Sequence, residues 1–180
     1  SFETYEFTNK TDVTISAGAG NDTVNLNNPV LPDGLTALTV IGGDDTAEDL
    51  VVVNGTTGTD SIIYSPTGAD SATLGGVQGL SSPNLVLDTT EQVIINGLGG
   101  DDSLEVDGTS GADTVTVVAG ATRDSGSVQV NSLLGVLFQN VGTGGSVALD
   151  TGDGDDTFVY TAGPDDDEFV VDGGAGVPGE

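Results

Sequence analysis

The sequence predicts an all-β fold, and the arrangement it favours is a right-handed parallel β-solenoid. Short runs rich in Val, Ile and Leu recur along the chain, each about as long as a strand and separated by Gly, Asp, Asn, Ser or Thr. No segment shows the 3.6-residue apolar period of a helix. An internal repeat indicates stacked copies, because one strand-and-turn unit cannot bury its own apolar face. The alternative is an antiparallel β-sandwich, since a strand spacing of about 11 residues also fits that fold.

The predicted strands are separated by short polar segments. In chain order they are LVVV (50–53), SIIY (61–64), NLVL (84–87), QVII (92–95), SLEV (103–106), TVTVV (114–118), SVQV (127–130), LLGVLF (133–138), SVAL (146–149), TFVY (157–160) and EFVV (168–171). Three Pro-containing segments are predicted as turns or loops, namely LPDG (31–34), SSPN (81–84) and GPDD (163–166).

The internal repeat is carried by the motif Gly-x-Asp, with an apolar residue two places after the aspartate. Motif aspartates form pairs at positions i and i+11: Asp49 and Asp60, Asp102 and Asp113, and Asp156 and Asp167. The pairs recur with a period of about 54 residues, and Asp22 precedes Asp49 by half of that period. We therefore expect one β-repeat domain, 1–180, made of imperfect units at about 1–37, 38–91, 92–145 and 146–180.

Composition limits the partners and the chemistry. The net charge is −27, with Lys10 and Arg123 as the only basic residues. This charge argues against nucleic acid as a partner, and no apolar stretch is long enough for membrane insertion. The chain has no Cys and no His, which removes thiol nucleophiles, zinc sites built on thiolate or imidazole, and the commonest general base. The natural partners of so many carboxylates are cations.

The repeated turns suit calcium. Glycines allow positive φ and let carbonyl oxygens point into the turn, and the aspartate adds an anionic oxygen. Calcium takes six to eight such oxygens, whereas magnesium requires a stricter octahedron and retains water. The rival interpretation, an Asx-turn in which the aspartate caps its own backbone, stays open at any single position. The predicted calcium ligands are Asp22, Asp45, Asp49, Asp60, Asp101, Asp102, Asp113, Asp155, Asp156 and Asp167.

Three of these turns resemble the hemolysin-type, or RTX, calcium-binding nonapeptide Gly-Gly-x-Gly-x-Asp-x-apolar-x. They are AGAGNDTV (17–24), GLGGDDSL (97–104) and TGDGDDTF (151–158). Asp22, Asp102 and Asp156 fall on the family's ligand aspartate; Gly20, Gly100 and Gly154 fall on its second conserved glycine. Gly18 and Gly152 match the first glycine, where the middle copy has Leu98. The resemblance implies a β-roll that folds on binding calcium, in a protein exported by bacteria.

The spacing departs from that family, whose repeats follow one another every nine residues. Here a short interval between motifs alternates with a much longer one, so the unit looks more like the tandem repeats of large bacterial surface and matrix proteins. We expect a calcium-stabilised structural module of a secreted surface, matrix, biofilm or filament protein, extracellular or on the cell surface. Its expected partners are calcium, neighbouring repeats and copies of itself.

Two other functions stay open at this stage. One is an adhesin-type module that recognises a glycan or another surface through a non-repeated patch. The less favoured one is a β-helix enzyme that degrades polysaccharide, since paired carboxylates also serve glycosidases. We expect no enzyme, because an active site is used once whereas these aspartates recur in phase with the repeat.

Overall fold

The computed structural model describes residues 4, 6, 9–27, 34–43, 48–76 and 85–163. In this part of the chain the regular structure consists of 14 strands and no helix. The strands are β1 (Asp12–Ser16), β2 (Thr23–Leu26), β3 (Ala37–Ile41), β4 (Leu50–Asn54), β5 (Ser61–Pro66), β6 (Ala72–Gly75), β7 (Leu85–Asp88), β8 (Gln92–Asn96), β9 (Ser103–Asp107), β10 (Thr114–Ala119), β11 (Gly126–Val130), β12 (Val136–Gln139), β13 (Ser146–Asp150) and β14 (Thr157–Thr161).

The strands form two open sheets of seven strands each. The order is β1-β3-β7-β6-β5-β9-β13 in the first sheet and β14-β10-β11-β12-β8-β4-β2 in the second. Each sheet has four parallel and two antiparallel pairings. The all-β prediction is therefore confirmed. The sheets are mixed, because β6 and β11 run antiparallel to both of their neighbours.

The core lies between the two sheets. Inner strands alternate buried and less buried residues, as expected where one face of a sheet is covered. Val40 and Leu85 of the first sheet and Val51, Val93 and Ile95 of the second are at most 1% exposed and belong to a single hydrophobic cluster. The apolar residues of the sequence runs thus face inward, and the segments between the strands carry the turn aspartates to the rim.

The sequence repeat appears in the structure as a strand plan that alternates between the sheets. Strands β3 to β7 and β8 to β12 follow the same order along the chain, ending in three consecutive antiparallel strands. Corresponding strands lie in opposite sheets: β4 and β14 are in the second sheet, and β9 is in the first. Successive copies of the unit therefore swap sheets along the protein.

Because the copies swap sheets, the residues that stack are not those related by the sequence period. Ser61, Ser103 and Ser146 are neighbours on adjacent parallel strands, and the intervals between them are shorter than that period. Strands related by the period, such as β4 and β9, lie in different sheets and do not pair. Neighbouring turns consequently come from different positions of the repeat.

Asparagines form a ladder at the end of four parallel strands of the second sheet. The Nδ2 of Asn54 donates to Oδ1 of Asn25 at 2.7 Å, Asn96 donates to Asn54 at 2.9 Å, and Asn140 donates to Asn96 at 2.7 Å. Asn54 and Asn96 are register partners in β4 and β8, and each of these two amides donates to one neighbour and accepts from another. This ladder fixes the register close to the turns that carry the candidate site.

Candidate metal centre

The candidate site is built from six-residue turns, each ending in an aspartate that directly precedes a strand. Two kinds of turn occur. The glycine turns, 17–22, 97–102 and 151–156, have positive φ at their second and fourth positions, for example 68° at Leu98 and 111° at Gly100. The threonine turns, 55–60 and 108–113, have Thr at the second position and no positive φ, and all of their residues are described.

In the three turns that begin with glycine, 55–60, 97–102 and 108–113, the aspartate side chain folds back onto that first residue, whereas turns 17–22 and 151–156 begin with Ala17 and Thr151. A Cβ added to Gly97 would lie 2.1 Å from Oδ2 of Asp102, and one added to Gly108 would lie 2.7 Å from Oδ2 of Asp113. Neither distance leaves room for a side chain, so the glycine is required by the approach of the carboxylate. The carboxylate is thereby held inside the turn and away from water.

The turns stack in pairs that we call joints; in one of the three, turn 17–22 stacks on Asp49, which directly precedes β4 and lies outside the five turns. In each joint the backbone N–H of one aspartate donates to Oδ1 of the aspartate in the next layer. The joints are Asp22 to Asp49 at 2.7 Å, Asp60 to Asp102 at 2.9 Å, and Asp113 to Asp156 at 2.9 Å. The residue after the second aspartate donates its N–H back to the carbonyl of the first, at 2.7–2.9 Å. A joint therefore uses one oxygen of its second carboxylate.

The threonine turns satisfy their own carboxylate. In turn 55–60 the N–H of Thr56 donates to Oδ2 of Asp60 at 2.7 Å, and the threonine hydroxyl donates to the same oxygen at 3.1 Å. Thr109 does the same for Asp113, with N–H to Oδ2 at 2.7 Å and hydroxyl to Oδ1 at 2.9 Å. These two aspartates behave as turn caps, the interpretation that the sequence left open for any single position.

The glycine turns leave one carboxylate oxygen without a partner. Positive φ at the second residue turns its N–H away: Leu98 donates to Oδ1 of Asn96 at 3.4 Å, and Gly152 donates to Oδ1 of Asp150 at 3.2 Å. The Oδ2 atoms of Asp102 and Asp156 are buried and have no hydrogen-bond partner among the described residues. The same holds for Oδ2 of Asp22 and of Asp49.

These oxygens lie in an unfavourable environment for a charge. Asp49 and Asp102 are each only 2% exposed. Burial raises the pKa of Asp102 above its ordinary value; the N–H of Asp60 opposes the rise, and repulsion from Asp60 and Asp101 adds to it. A buried carboxylate with an unpartnered oxygen destabilises the folded state unless a proton or a cation neutralises it. The donor set of aspartate and turn carbonyl oxygens has the hard-oxygen chemistry that calcium prefers.

The predicted ligands fall into four groups. The turn aspartates that precede strands are all placed at the joints, but Asp60 and Asp113 are satisfied by threonine, which separates them from Asp22, Asp49, Asp102 and Asp156. Asp101 is exposed, and its Oδ1 accepts the N–H of Gly144 at 3.0 Å. Asp155 is also exposed. Asp45 and Asp167 lie outside the described residues.

The structure also brings together three acidic residues that lie outside the repeated Gly-x-Asp motif. Carboxylate oxygens of Glu105, Asp107 and Asp150 lie within 4.8 Å of one another on the outer face of the first sheet. Asp107 and Asp150 are partners in the register of β9 and β13, and Ser65 donates to Oδ2 of Asp107 at 2.5 Å. Their separation in the chain differs from the sequence period, so the repeat gave no reason to pair them.

A further concave feature lies on the outer face of the second sheet. It is an open depression of about 300 Å³, lined by apolar residues that include Val118, Leu137 and Phe138. Val118 and Leu137 are 40% and 47% exposed. Its lining contains no carboxylate, so it is unrelated to the aspartates of the joints.

Fold and site together define an all-β protein of two mixed sheets, with buried turn carboxylates stacked along its rims. No family model, curated protein or solved structure matches the chain. Nowhere in the described ranges does a helix reach the length and apolarity that crossing a bilayer requires.

Proposed function

We propose that this chain is a calcium-stabilised structural repeat module. The observation that carries the proposal is the unpartnered buried Oδ2 atom, which recurs on the second aspartate of every joint, at Asp49, Asp102 and Asp156. Because this feature recurs at every joint, it fits a role in stabilising the whole array better than a role in catalysis, which uses one site. A divalent cation at each joint would neutralise the charge that burial leaves uncompensated.

The residues present fit calcium. At the second and third joints the metal would be held by the aspartate and the carbonyl oxygens of a glycine turn, 97–102 or 151–156. At the first joint Asp22 and Asp49 each contribute an unpartnered oxygen. Calcium tolerates irregular sets of six to eight oxygens, whereas magnesium requires a near-ideal octahedron. The proposal places one ion at each of the three joints.

We regard the parallel strands and their stacked turns as a solenoid-like array, in which the antiparallel strands are insertions. The net charge of −27 favours binding of many cations. Calcium sites of extracellular modules are often weak and are filled at the millimolar calcium concentration outside cells. We place the protein outside the cell or on its surface, in a stalk, matrix or filament, without catalytic activity.

The test is thermal unfolding followed by far-UV circular dichroism, in EDTA, in calcium and in magnesium. Binding to the folded state alone raises stability by RT ln(1 + [L]/Kd) for each site. We expect a large increase in Tm with calcium and a small one with magnesium. Equal Tm values in EDTA and in calcium would overturn the proposal.

A further inference from the structure

The two ends of the described structure present the same strand–turn–strand unit. β1, turn 17–22 and β2 lie at one end, where β1 and β2 are edge strands; β13, turn 151–156 and β14 lie at the other end, again at the sheet edges. We propose that these ends bind each other in neighbouring copies of the chain, with β1 and turn 17–22 of one molecule stacked on β13 and turn 151–156 of the next. This inference rests on the proposed structural function and names its partner.

The outer edge of β1 is suited to strand addition. The carbonyl of Thr11 accepts from Ala37, and the N–H of Ala17 donates to Ile41, so odd-numbered residues of this segment bond to β3. Because backbone groups alternate sides along a strand, those of Thr14 and Ser16 point away from the sheet. An edge of this kind is a template for a strand of another chain.

The outer edge of β13 has the matching alternation. The N–H of Ser146 donates to Asp102 in the layer below, so the backbone groups of Val147 and Leu149 point outward. The residues whose backbone groups point outward differ between the two edges. In β1 they are Thr14 and Ser16, whose side chains are exposed; in β13 they are Val147 and Leu149, whose side chains face the core. Neighbouring parallel strands inside the protein show this same offset, since Ser146 bonds to Asp102, which precedes its register partner Ser103.

The end turns carry the two halves of a joint. In every joint the N–H of the first aspartate donates to the carboxylate of the second aspartate. The C=O of the first aspartate accepts the N–H of the residue that follows the second aspartate. At one end, the N–H and C=O of Asp156 are without a hydrogen bond to any described residue. At the other end lie the Asp22 carboxylate, whose Oδ2 is unpartnered, and the outward N–H of Thr23. Head-to-tail contact completes a fourth joint.

The equal length of the two turns fixes the register. Ser16 precedes Asp22 by six residues, and Asp150 precedes Asp156 by six, so stacking the aspartates places Ser16 opposite Asp150. Thr14 then lies opposite Ala148. Ser16 would donate to Asp150 as Ser65 donates to Asp107 on the same sheet face inside one chain.

Apolar contacts and charge act in opposite directions at this contact. Val13, Ile15 and Val147 pack against the core but are only partly buried, in contrast to the inner layers. Burying them favours association. Both end turns are acidic, so a divalent cation between Asp22 and Asp156 would oppose their repulsion. The contact is heterologous and does not close on itself, and repetition would give filaments.

The experiment is interchain disulfide formation in a chain that has no cysteine of its own. Thr14→Cys and Ala148→Cys are made as separate proteins, since both side chains are exposed and both variants should fold. Parallel strands in register bring such Cβ atoms within disulfide range. Mixing the two in calcium under mild oxidation should give a covalent heterodimer. The control pairs Thr14→Cys with Ser146→Cys, which lies on the same face but two residues out of register.

The inference predicts that the heterodimer forms from the matched pair and is lost with the control pair and with either variant alone. Equal yields from matched and control pairs, or no heterodimer from either, would overturn it. In a second readout, Thr14→Pro removes an outward N–H and should abolish association of the cysteine-free protein in sedimentation, whereas Thr14→Val should retain it. A calcium-dependent Tm without cross-linking would leave the proposed function standing and sink this contact alone.

Discussion

Turns 55–60 and 97–102 stack on each other and have the same length, yet their aspartates make different contacts. In the first, Thr56 supplies an N–H and a hydroxyl to Asp60. In the second, the N–H of Leu98 points to Asn96, and Oδ2 of Asp102 has no partner in the described structure. The second residue of the turn thus decides whether a buried carboxylate is satisfied by the chain itself or requires a cation.

This comparison changes how the repeated aspartates are interpreted. Equivalent positions of a repeat usually do the same work, but here the two members of a sequence pair, such as Asp102 and Asp113, do not. Asp60 and Asp113 are structural caps, and the aspartates above them in their joints are the candidate metal ligands. The second and third joints each combine one capped aspartate, Asp60 or Asp113, with one aspartate that has an unpartnered oxygen, Asp102 or Asp156. This combination limits the uncompensated negative charge at each joint.

The largest effect is expected from Gly97→Ala, which tests the folded-back carboxylate shared by both kinds of turn. A methyl group would lie 2.1 Å from Oδ2 of Asp102 and 2.4 Å from the backbone oxygen of Asn140. We expect a loss of about 3 kcal/mol in the free energy of unfolding, measured by chemical denaturation. The control is Gly99→Ala, where the nearest atom lies 3.9 Å away and φ is not positive. Equal losses in the two variants would refute this account of the turn.

The next effect distinguishes the Asp113 carboxylate from the Asp102 carboxylate by the sign of the change in the free energy of unfolding. Asp113→Asn removes one of the two carboxylate oxygens that accept hydrogen bonds from Thr109, so we expect a loss of about 1–2 kcal/mol in both EDTA and calcium. Asp102→Asn retains the acceptor for the N–H of Asp60 and removes a buried charge, so stability in EDTA should rise. In calcium the same variant should be less stable than the parent. Chemical denaturation in the two buffers measures both; parallel behaviour of the two variants would contradict the comparison.

A smaller effect is expected from the threonine hydroxyl. Thr109→Val keeps the N–H to Asp113 but removes the hydroxyl, which donates to Asp113 at 2.9 Å and accepts the N–H of Gly111 at 3.2 Å, for an expected loss of about 1 kcal/mol. The loss should be the same with and without calcium, because the threonine turn binds no metal in this account. Ser110→Ala, at an exposed position of the same turn, is the control and should change little. A loss confined to calcium would show that the threonine acts through a metal.

The smallest effect concerns pH in the absence of metal. The pKa of Asp102 is raised in the folded state, so the folded protein holds this proton more tightly than the unfolded chain does. Its contribution is present at acid pH and is lost as pH rises through the folded pKa. In EDTA, lowering the pH toward that pKa should therefore increase Tm, and Asp102→Asn should reduce the increase. In calcium, the same acidification should lower Tm, because protonated aspartates do not ligate.

The sequence was sufficient for the elements of this fold but not for their arrangement. Runs such as LVVV and QVII became β4 and β8 because β-branched residues suit a half-buried strand. The turn aspartates were found because Gly-x-Asp recurs in phase. The neighbours were not predictable from that phase, since successive copies of the unit lie in opposite sheets and the interval between stacked residues is shorter than the sequence period.

The sequence pattern also did not predict which turn aspartates are capped by threonine and which have an unpartnered oxygen. The residues responsible can nevertheless be identified in the sequence once the structure is known. Thr56 and Thr109 each lie four residues before an aspartate, where the glycine turns have Gly18, Leu98 or Gly152. Only the backbone geometry shows that the threonine N–H reaches the carboxylate and the N–H of Leu98 does not. The asparagine ladder could have been found, because Asn54, Asn96 and Asn140 each end or closely follow an apolar run.

The most direct test of the central claim is calcium binding by equilibrium dialysis to three forms of the folded protein. One is the parent, one carries Asp102→Asn with Asp156→Asn, and one carries Thr56→Val with Thr109→Val. The account predicts that the aspartate pair of substitutions removes the ions of the second and third joints and that the threonine pair leaves the bound calcium unchanged. Calcium binding by the aspartate variant equal to that of the parent, at a temperature where circular dichroism shows all three folded, would contradict it.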